Sequence, residues 1–153
     1  MNTRFAITVV SAVLAMWSVG ARAEARCTVS TAGGVNFGTY NVFSAVPLAS
    51  TGALSLNCDP KDKNVQVTLS TGGSGSYTPR ELSGPGGDVL SYNLFLDAAG
   101  TQIWGDGRGG TGFYSNGKPG GNVINLTVFG KVTAAQNVGA GSYSDTVTIE
   151  VNF

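Results

Sequence analysis

YSDTVTIEVNF, residues 143–153, carries the clearest structural signal in this chain. Toward its end, apolar and polar side chains alternate with a period of two. The apolar members are Val147, Ile149, Val151 and Phe153. The polar members are Thr146, Thr148, Glu150 and Asn152. This alternation predicts a β-strand with one face against a core and the other toward solvent.

Four earlier segments alternate in the same way. Their apolar rows are Leu54, Leu56 and Cys58; Val65, Val67 and Leu69; Leu90, Tyr92, Leu94 and Leu96; and Ile124, Leu126 and Val128. Glycine clusters separate the segments, at 72–73, 84–87, 105–112 and 117–121, and no segment keeps helical spacing. Short half-buried strands joined by glycine turns predict an all-β protein with two antiparallel sheets packed face to face.

The N-terminal residues are typical of a secretory signal peptide. Arg4 precedes an almost unbroken apolar run, residues 5–19, and Ala21-Arg22-Ala23 has the small-x-small pattern that signal peptidase cleaves. We expect residues 1–23 to be a signal peptide and residues 24–153 to form one domain, large enough to bury a core. A cut after Ala21 is one alternative. A membrane anchor is another, but the apolar run is shorter than the roughly 20 residues that a spanning helix needs. The segment therefore predicts export through the periplasm without stable membrane insertion.

The chain has two cysteines, Cys27 and Cys58, and both lie beyond the predicted cleavage site. In an exported protein, an even pair is typical of a disulfide. A bond across this separation would stabilise the fold by roughly 3–4 kcal/mol through restriction of the unfolded chain. Two buried free thiols are the alternative. A metal site is disfavoured because the sequence has no histidine to complete the ligands.

Charge and composition argue against several classes of function. Loss of Arg4 and Arg22 with the signal peptide leaves seven basic and nine acidic residues, so we expect no nucleic-acid partner. The absence of histidine removes the usual general base. Asp97 and Asp106 flank Trp104, and a glycosidase carboxylate pair is one interpretation, but aspartates beside glycine-rich turns ordinarily cap the backbone. We expect no catalytic residues, no metal and no cofactor.

Three aromatic residues surround the glycine-rich region 105–112. They are Trp104, Phe113 and Tyr114. One interpretation makes them core residues at the end of the sandwich. The other makes them an exposed apolar tip that contacts a surface. The sequence leaves both interpretations open.

Six blocks of the chain resemble the spore coat protein U domain family. They are CTVS at 27–30, VNFGTY at 35–40, LSLNC at 54–58, LSYNLF at 90–95, IWGDG at 103–107 and GSYSDTV at 141–147. The resemblance extends over residues 27–153, and the order and spacing of the blocks carry it. This family includes subunits of archaic chaperone–usher pili, which serve surface attachment and biofilm formation, and also secreted coat proteins.

The resemblance implies an immunoglobulin-like sandwich that lacks its final strand. In such pili a periplasmic chaperone fills the gap first, and the N-terminal strand of a neighbouring subunit replaces it at the outer-membrane usher. One wall of the acceptor groove would then be formed by Val147, Ile149, Val151 and Phe153. The implied partners are the chaperone, the usher and neighbouring pilus subunits, and the implied location is a surface fibre. A strand that simply ends inside a complete sandwich is the alternative.

The predicted cleavage leaves only residues 24–26 ahead of Cys27. So short a segment cannot span a groove several strand positions long. We therefore expect this protein to accept a donor strand and to give none through its N-terminus, which places it at a fibre tip or in a cap or coat. The second function that the sequence supports is a secreted coat or matrix protein that folds as a self-sufficient sandwich.

Overall fold

A computed structural model describes residues 27–153. The predicted signal peptide, residues 1–23, lies outside this range. Residues 27–153 form eight strands: β1 (Cys27–Thr31), β2 (Leu48–Cys58), β3 (Val65–Leu69), β4 (Arg80–Ser83), β5 (Val89–Phe95), β6 (Tyr114–Asn116), β7 (Val123–Val132) and β8 (Ile149–Asn152). Within the described range, helical structure is confined to single 3-10 turns at Gly72–Ser74 and Pro85–Gly87, and no helix is long and apolar enough to cross a membrane.

The strands form two antiparallel sheets. The larger sheet has the order β1-β2-β7-β5-β4, and the smaller has the order β6-β3-β8. The longest pairing joins β2 to β7, from Leu48 opposite Val132 to Asn57 opposite Val123. The predicted all-β architecture of two antiparallel sheets is confirmed.

The core lies between the sheets and is built from the predicted apolar rows, with Val132 in addition. Its buried aliphatic and tyrosine members are Leu54, Leu56, Val65, Val67, Leu69, Leu90, Tyr92, Leu94, Val128 and Val132. Side chains between these positions are half-buried or exposed. Successive side chains on a strand point to opposite faces, so one row from each strand meets the rows of the facing sheet.

Two large side chains join the sheets. Trp104 is 1% exposed, and its indole N–H donates to the carbonyl of Val67 at 2.9 Å. Arg80 is fully buried, and its guanidinium donates to the carbonyls of Ser70 and Trp104 and to Oδ1 of Asn93. Burial lowers the pKa of Arg80. All these acceptors are uncharged, so hydrogen bonds rather than an ion pair hold the guanidinium. The bonds to Ser70 connect β4 to the residue that follows β3.

The last strand is shorter than the alternation predicts, because β8 begins only at Ile149. Ser144 instead exchanges two backbone hydrogen bonds with Ser83 at the end of β4, at 2.8 and 3.0 Å. Segment 143–152 therefore starts on the larger sheet and crosses to the smaller one. This crossing interrupts the regular ladder between residues 145 and 148.

The segment between β1 and β2, residues 32–47, contains no strand. Val35 and Phe37 nevertheless pack against the core, and Phe37 meets Tyr92 edge-to-face with 5.9 Å between ring centroids. A side chain at Gly130 in β7 would overlap both Val35 and Phe37. Glycine at this position therefore allows the segment to lie close against the sheet.

The Cys27–Cys58 disulfide joins the first residue of β1 to the last residue of β2. The two cysteines are direct partners in the register of the antiparallel pair. The predicted disulfide is confirmed, and it fixes the first strand of the domain to the larger sheet.

Candidate functional site

Strand β8 is paired on one side only. Its residues Ile149–Asn152 lie opposite Leu69 to Gln66 of β3. Within residues 27–153, no strand pairs along the other edge of β8. An unpaired edge presents a row of backbone N–H and C=O groups to which another chain can add. This edge is the candidate functional site.

The backbone groups at this edge belong to odd-numbered residues. The N–H of Ser70 donates to the carbonyl of Thr148, and the N–H of Thr148 donates to Oγ of Ser70, both at 2.9 Å. Thr148 therefore turns its backbone groups toward β3. Because these groups alternate in direction along an antiparallel strand, those of Val147 and Ile149 point toward the unpaired edge.

An apolar groove of about 300 Å³ runs beside this edge. Val147 and Ile149 line it, together with Val35 and Phe37 from the segment between β1 and β2. The floor is made of core side chains: Leu54, Leu69, Leu82, Tyr92, Leu94 and Val128. The groove thus places apolar side chains next to backbone groups that have no strand beside them.

The four residues predicted for the groove wall occupy different places. Val147 and Ile149 line the groove. Val151 continues the row, half-buried against the core and opposite Val67. Phe153 follows the end of β8 and is 54% exposed. The structure therefore brings the first two together at the cavity, and the role of all four in strand binding stays a prediction.

A larger cavity of about 1080 Å³ adjoins the groove. It lies between residues 33–42 and residues 138–145. The two cavities share Val35, Phe37, Leu82 and Asp145 in their linings. They therefore lie side by side, and we call the two cavities together the seam.

Asp145 is the charged residue that the sequence analysis missed. Among the described residues that line the seam, it alone carries a charge. Its Oδ2 accepts a hydrogen bond from the hydroxyl of Tyr92 at 2.7 Å, and its Oδ1 accepts from the N–H groups of Gly73 at 2.8 Å and Thr146 at 2.7 Å. Burial and the bond to Asp145 raise the pKa of Tyr92, so the hydroxyl stays protonated and donates.

A glycine turn packs directly on this carboxylate. Gly72 has φ of 72°, and a Cβ at that position would overlap the carboxylate of Asp145. The turn and Tyr92 therefore hold the Asp145 side chain in one orientation. The sequence does contain a signal for this residue. Odd-numbered residues from Tyr143 to Val151 form the inward row, and Asp145 is the charged member of this otherwise apolar row.

The two cysteines and Asp62 form a small cluster beside β1. One potential ligand atom from each lies within 4.8 Å of the others. The two sulfur atoms are bonded to each other, and a metal needs thiolates, so the oxidised pair offers no ligands. Oδ2 of Asp62 accepts a hydrogen bond from the N–H of Asp59 at 2.8 Å, which fixes the turn after β2.

The candidate surface tip requires a correction. Trp104 is buried, so its assignment to a surface-contacting tip is wrong and the core interpretation holds for this residue. Its indole fills space between the sheets and its N–H is bonded to backbone. Tyr114, in β6, is half-buried against the core. Phe113 is 37% exposed, and its ring lies over Gly107.

Asp97 and Asp106 cap their own loops, as the turn interpretation predicts. Asp97 accepts hydrogen bonds from the N–H groups of Thr101 and Gln102. Asp106 accepts from the N–H of Arg108 at 2.9 Å. Each carboxylate thus stabilises a turn of the backbone.

A second feature absent from the sequence analysis is an exposed apolar loop before β2. Phe43 is 93% exposed and Val46 is 71% exposed. Asn41 orders the loop, since its Oδ1 accepts from the N–H of Phe43 and its carbonyl accepts from the N–H of Ser44, both at 3.0 Å. The sequence does contain a signal for this loop. Its apolar residues do not alternate with polar ones, and they stand beside asparagine, serine and proline, which favour turns.

Solved structures that share this fold include two from pilus systems. A chain in the crystal structure of the CsuC–CsuE chaperone–tip adhesion subunit complex of Acinetobacter baumannii is 24% identical, with a TM-score of 0.56 over 84% of this protein. This protein spans only 40% of that chain. The P pilus rod subunit PapA is 21% identical, with a TM-score of 0.55 over 82% of this protein and 97% of PapA. These likenesses show the immunoglobulin-like pilus-subunit fold.

Sequence comparison identifies the family. Protein U of Myxococcus xanthus is 36% identical over 143 residues, which cover 83% of this chain and 77% of Protein U. Residues 13–150 match the family model described as the Spore Coat Protein U domain. The resemblance found in the six sequence blocks is confirmed. The chain belongs to the spore coat protein U domain family.

Proposed function

We propose that this protein is a structural subunit of a chaperone–usher pilus or a related surface fibre, and that its seam accepts a strand from another molecule. The observation that carries the proposal is the edge of β8, where inward apolar side chains and edge-facing backbone groups coincide beside an open groove. Family membership and a fold shared with pilus proteins support it.

The energetics favour an added strand. Each apolar side chain that an incoming strand buries on the groove floor contributes about 1.5–3 kcal/mol. Each backbone hydrogen bond to the odd-numbered residues adds about 0.5–1.5 kcal/mol. The cost of association and of ordering the strand offsets part of this gain. Several side chains and several hydrogen bonds together still make a stable joint.

The proposal has consequences for partners and location. The protein is exported through the periplasm, where a chaperone covers the seam, and it reaches the cell surface through an outer-membrane usher. The short segment between the predicted cleavage site and Cys27 gives no donor strand, so the subunit lies at a fibre end. Its role is mechanical and adhesive, without catalysis. Phe113 and Tyr114 remain the candidate contacts with a surface.

Strand acceptance can be tested on the exported protein with a synthetic peptide. The peptide has the same length as segment 138–149, with valine at every second position and threonine or serine between the valines. We call it the alternating peptide. It should raise the melting temperature of the protein in proportion to its concentration. A control peptide of the same composition, with all its valines consecutive, should have little effect. Equal shifts from both peptides, or no shift from either, would contradict the proposal.

The second candidate function is a secreted coat or matrix protein, which the family description and the Protein U relative favour. Periplasmic expression separates the two. A strand-accepting subunit should aggregate or be degraded when expressed alone, because its seam is exposed. Co-expression of a chaperone from a chaperone–usher system should then restore it. A soluble monomer at full yield without a chaperone would favour the coat protein.

A further inference from the structure

Asp145 occupies an unusual place for a charged side chain. It belongs to the inward-facing row of segment 143–152, in which Val147, Ile149 and Val151 are apolar. It also lines both cavities, at the junction where the apolar groove meets the larger cavity. Any strand that fills the whole seam must therefore pass over this carboxylate.

The carboxylate retains capacity for another donor. A carboxylate offers about four acceptor positions, two on each oxygen. Gly73 and Thr146 occupy both positions on Oδ1, and Tyr92 occupies one on Oδ2. These three donors are neutral. By this count Oδ2 keeps one acceptor position, beside the Gly72 turn that packs on the same oxygen.

No basic side chain in the described part of the seam balances this charge. The lining residues of both cavities include neither lysine nor arginine. Arg80 is the cation whose charge interacts with Asp145, but its donors are directed to Ser70, Trp104 and Asn93. An entirely apolar strand in the seam would remove water from Asp145 without supplying a partner, which is costly.

We infer that Asp145 selects the strand that fills the seam: the occupant carries a lysine or an arginine at the inward position opposite Asp145, within an otherwise apolar row. Directly opposite residues of paired strands have their side chains on the same face and about 5 Å apart, so opposite charges attract there. A charge-assisted hydrogen bond to Oδ2 replaces the lost water. This inference rests on the proposed function and specifies its partner.

The test is a charge scan of the alternating peptide. Each inward valine is replaced in turn by lysine or by glutamate, and each peptide is titrated against the native protein by calorimetry. At one position the lysine peptide should bind at least about tenfold more tightly than the glutamate peptide. At the other inward positions both charges should weaken binding, with no such preference. A scan in which no position, or every position, prefers lysine would overturn the inference.

Two variants assign the preference to its source. Asp145→Asn keeps the size and most hydrogen bonds of the side chain, and it should reduce the lysine-to-glutamate ratio to within about twofold. Asp106→Asn is the matched control, because Asp106 also accepts a hydrogen bond from a backbone N–H, that of Arg108, and neither residue lines the seam. It should leave the ratio unchanged. A ratio that survives Asp145→Asn would overturn the inference.

The outcomes also distinguish this inference from the function on which it rests. If the alternating peptide binds but no charge preference depends on Asp145, only the role of Asp145 is contradicted. If neither the unsubstituted peptide nor any substituted one binds, strand acceptance itself fails, and the inference fails with it. The scan on the native protein gives an answer even if Asp145→Asn does not fold.

Discussion

At the scale of single residues, Trp104 shows how the glycine-rich region is attached to the core. Its buried indole contacts the apolar rows and donates a hydrogen bond to the carbonyl of Val67. We expect Trp104→Ala to lower the free energy of unfolding by about 3–5 kcal/mol, because it leaves a cavity and an unpaired carbonyl. Urea denaturation of the exported protein measures this change.

Phe113→Ser is the control for that substitution. Phe113 is partly exposed, so its loss should cost clearly less than the loss of Trp104. A Trp104→Ala protein as stable as the native one would contradict the core assignment. Reduced surface attachment by Phe113→Ser at unchanged stability would support a contact role for that residue.

Asp97 makes part of the stability depend on pH. The N–H groups of Gln102 and Thr101 donate to its carboxylate and lower the pKa of Asp97. The unfolded value is about 3.9, so the contribution of Asp97 is present above that pH and is lost as the pH falls through the lower folded-state pKa. In Asp97→Asn, we expect a smaller loss of unfolding free energy between about pH 5 and pH 2. Urea denaturation of the native protein and of Asp97→Asn across that pH range measures the difference. Identical losses of unfolding free energy in the two proteins would show that Asp97 does not contribute to the pH dependence.

At the scale of elements, the two faces of segment 143–152 should differ in their effect on strand binding. Val147→Asp places a charge on the groove wall and should weaken binding of the alternating peptide at least about tenfold. Thr148→Asp, on the exposed face, should leave the affinity nearly unchanged. Thermal-shift titrations compare the two. Equal weakening by both would show that the peptide does not bind in the groove.

The elements also differ in how far the sequence predicts them. Alternation alone predicted the inward rows of β2, β3, β5 and β7, since a period of two fixes which side chains share a face. It could not predict where β8 begins, because that depends on the pairing of Ser144 with Ser83, which lie far apart in the chain. Nor could it predict the burial of Arg80, which depends on two backbone carbonyls and one side-chain oxygen from three separate segments.

The candidate site was predictable to a similar degree. The wall residues Val147 and Ile149 follow from their apolar row. The lining residues Val35 and Phe37 lie in a segment without regular structure, so no periodicity marked them. Asp145 interrupts the apolar row. Its role could not be predicted from the sequence, because that role depends on the two cavities that meet at this residue.

At the scale of the whole molecule, the sandwich is asymmetric. Five strands face three, and the smaller sheet ends in β8 with an apolar groove beside it. A free protein with such an edge risks pairing with other chains. The same edge is useful to a protein that must be joined to a partner after export. The central claim is therefore that one edge of β8 is unpaired in the free protein and gains a strand in the assembled fibre.

Amide hydrogen exchange of segment 147–152, resolved by residue, tests this claim most directly. In the free protein we expect slow exchange at Thr148 and Glu150, whose N–H groups point toward β3. We expect fast exchange at Ile149 and Val151, whose N–H groups point toward the unpaired edge. The alternating peptide should slow Ile149 and Val151 and leave the other two unchanged. Ile149 and Val151 already slow in the free protein would contradict the account, because the edge would then be paired before any partner arrives.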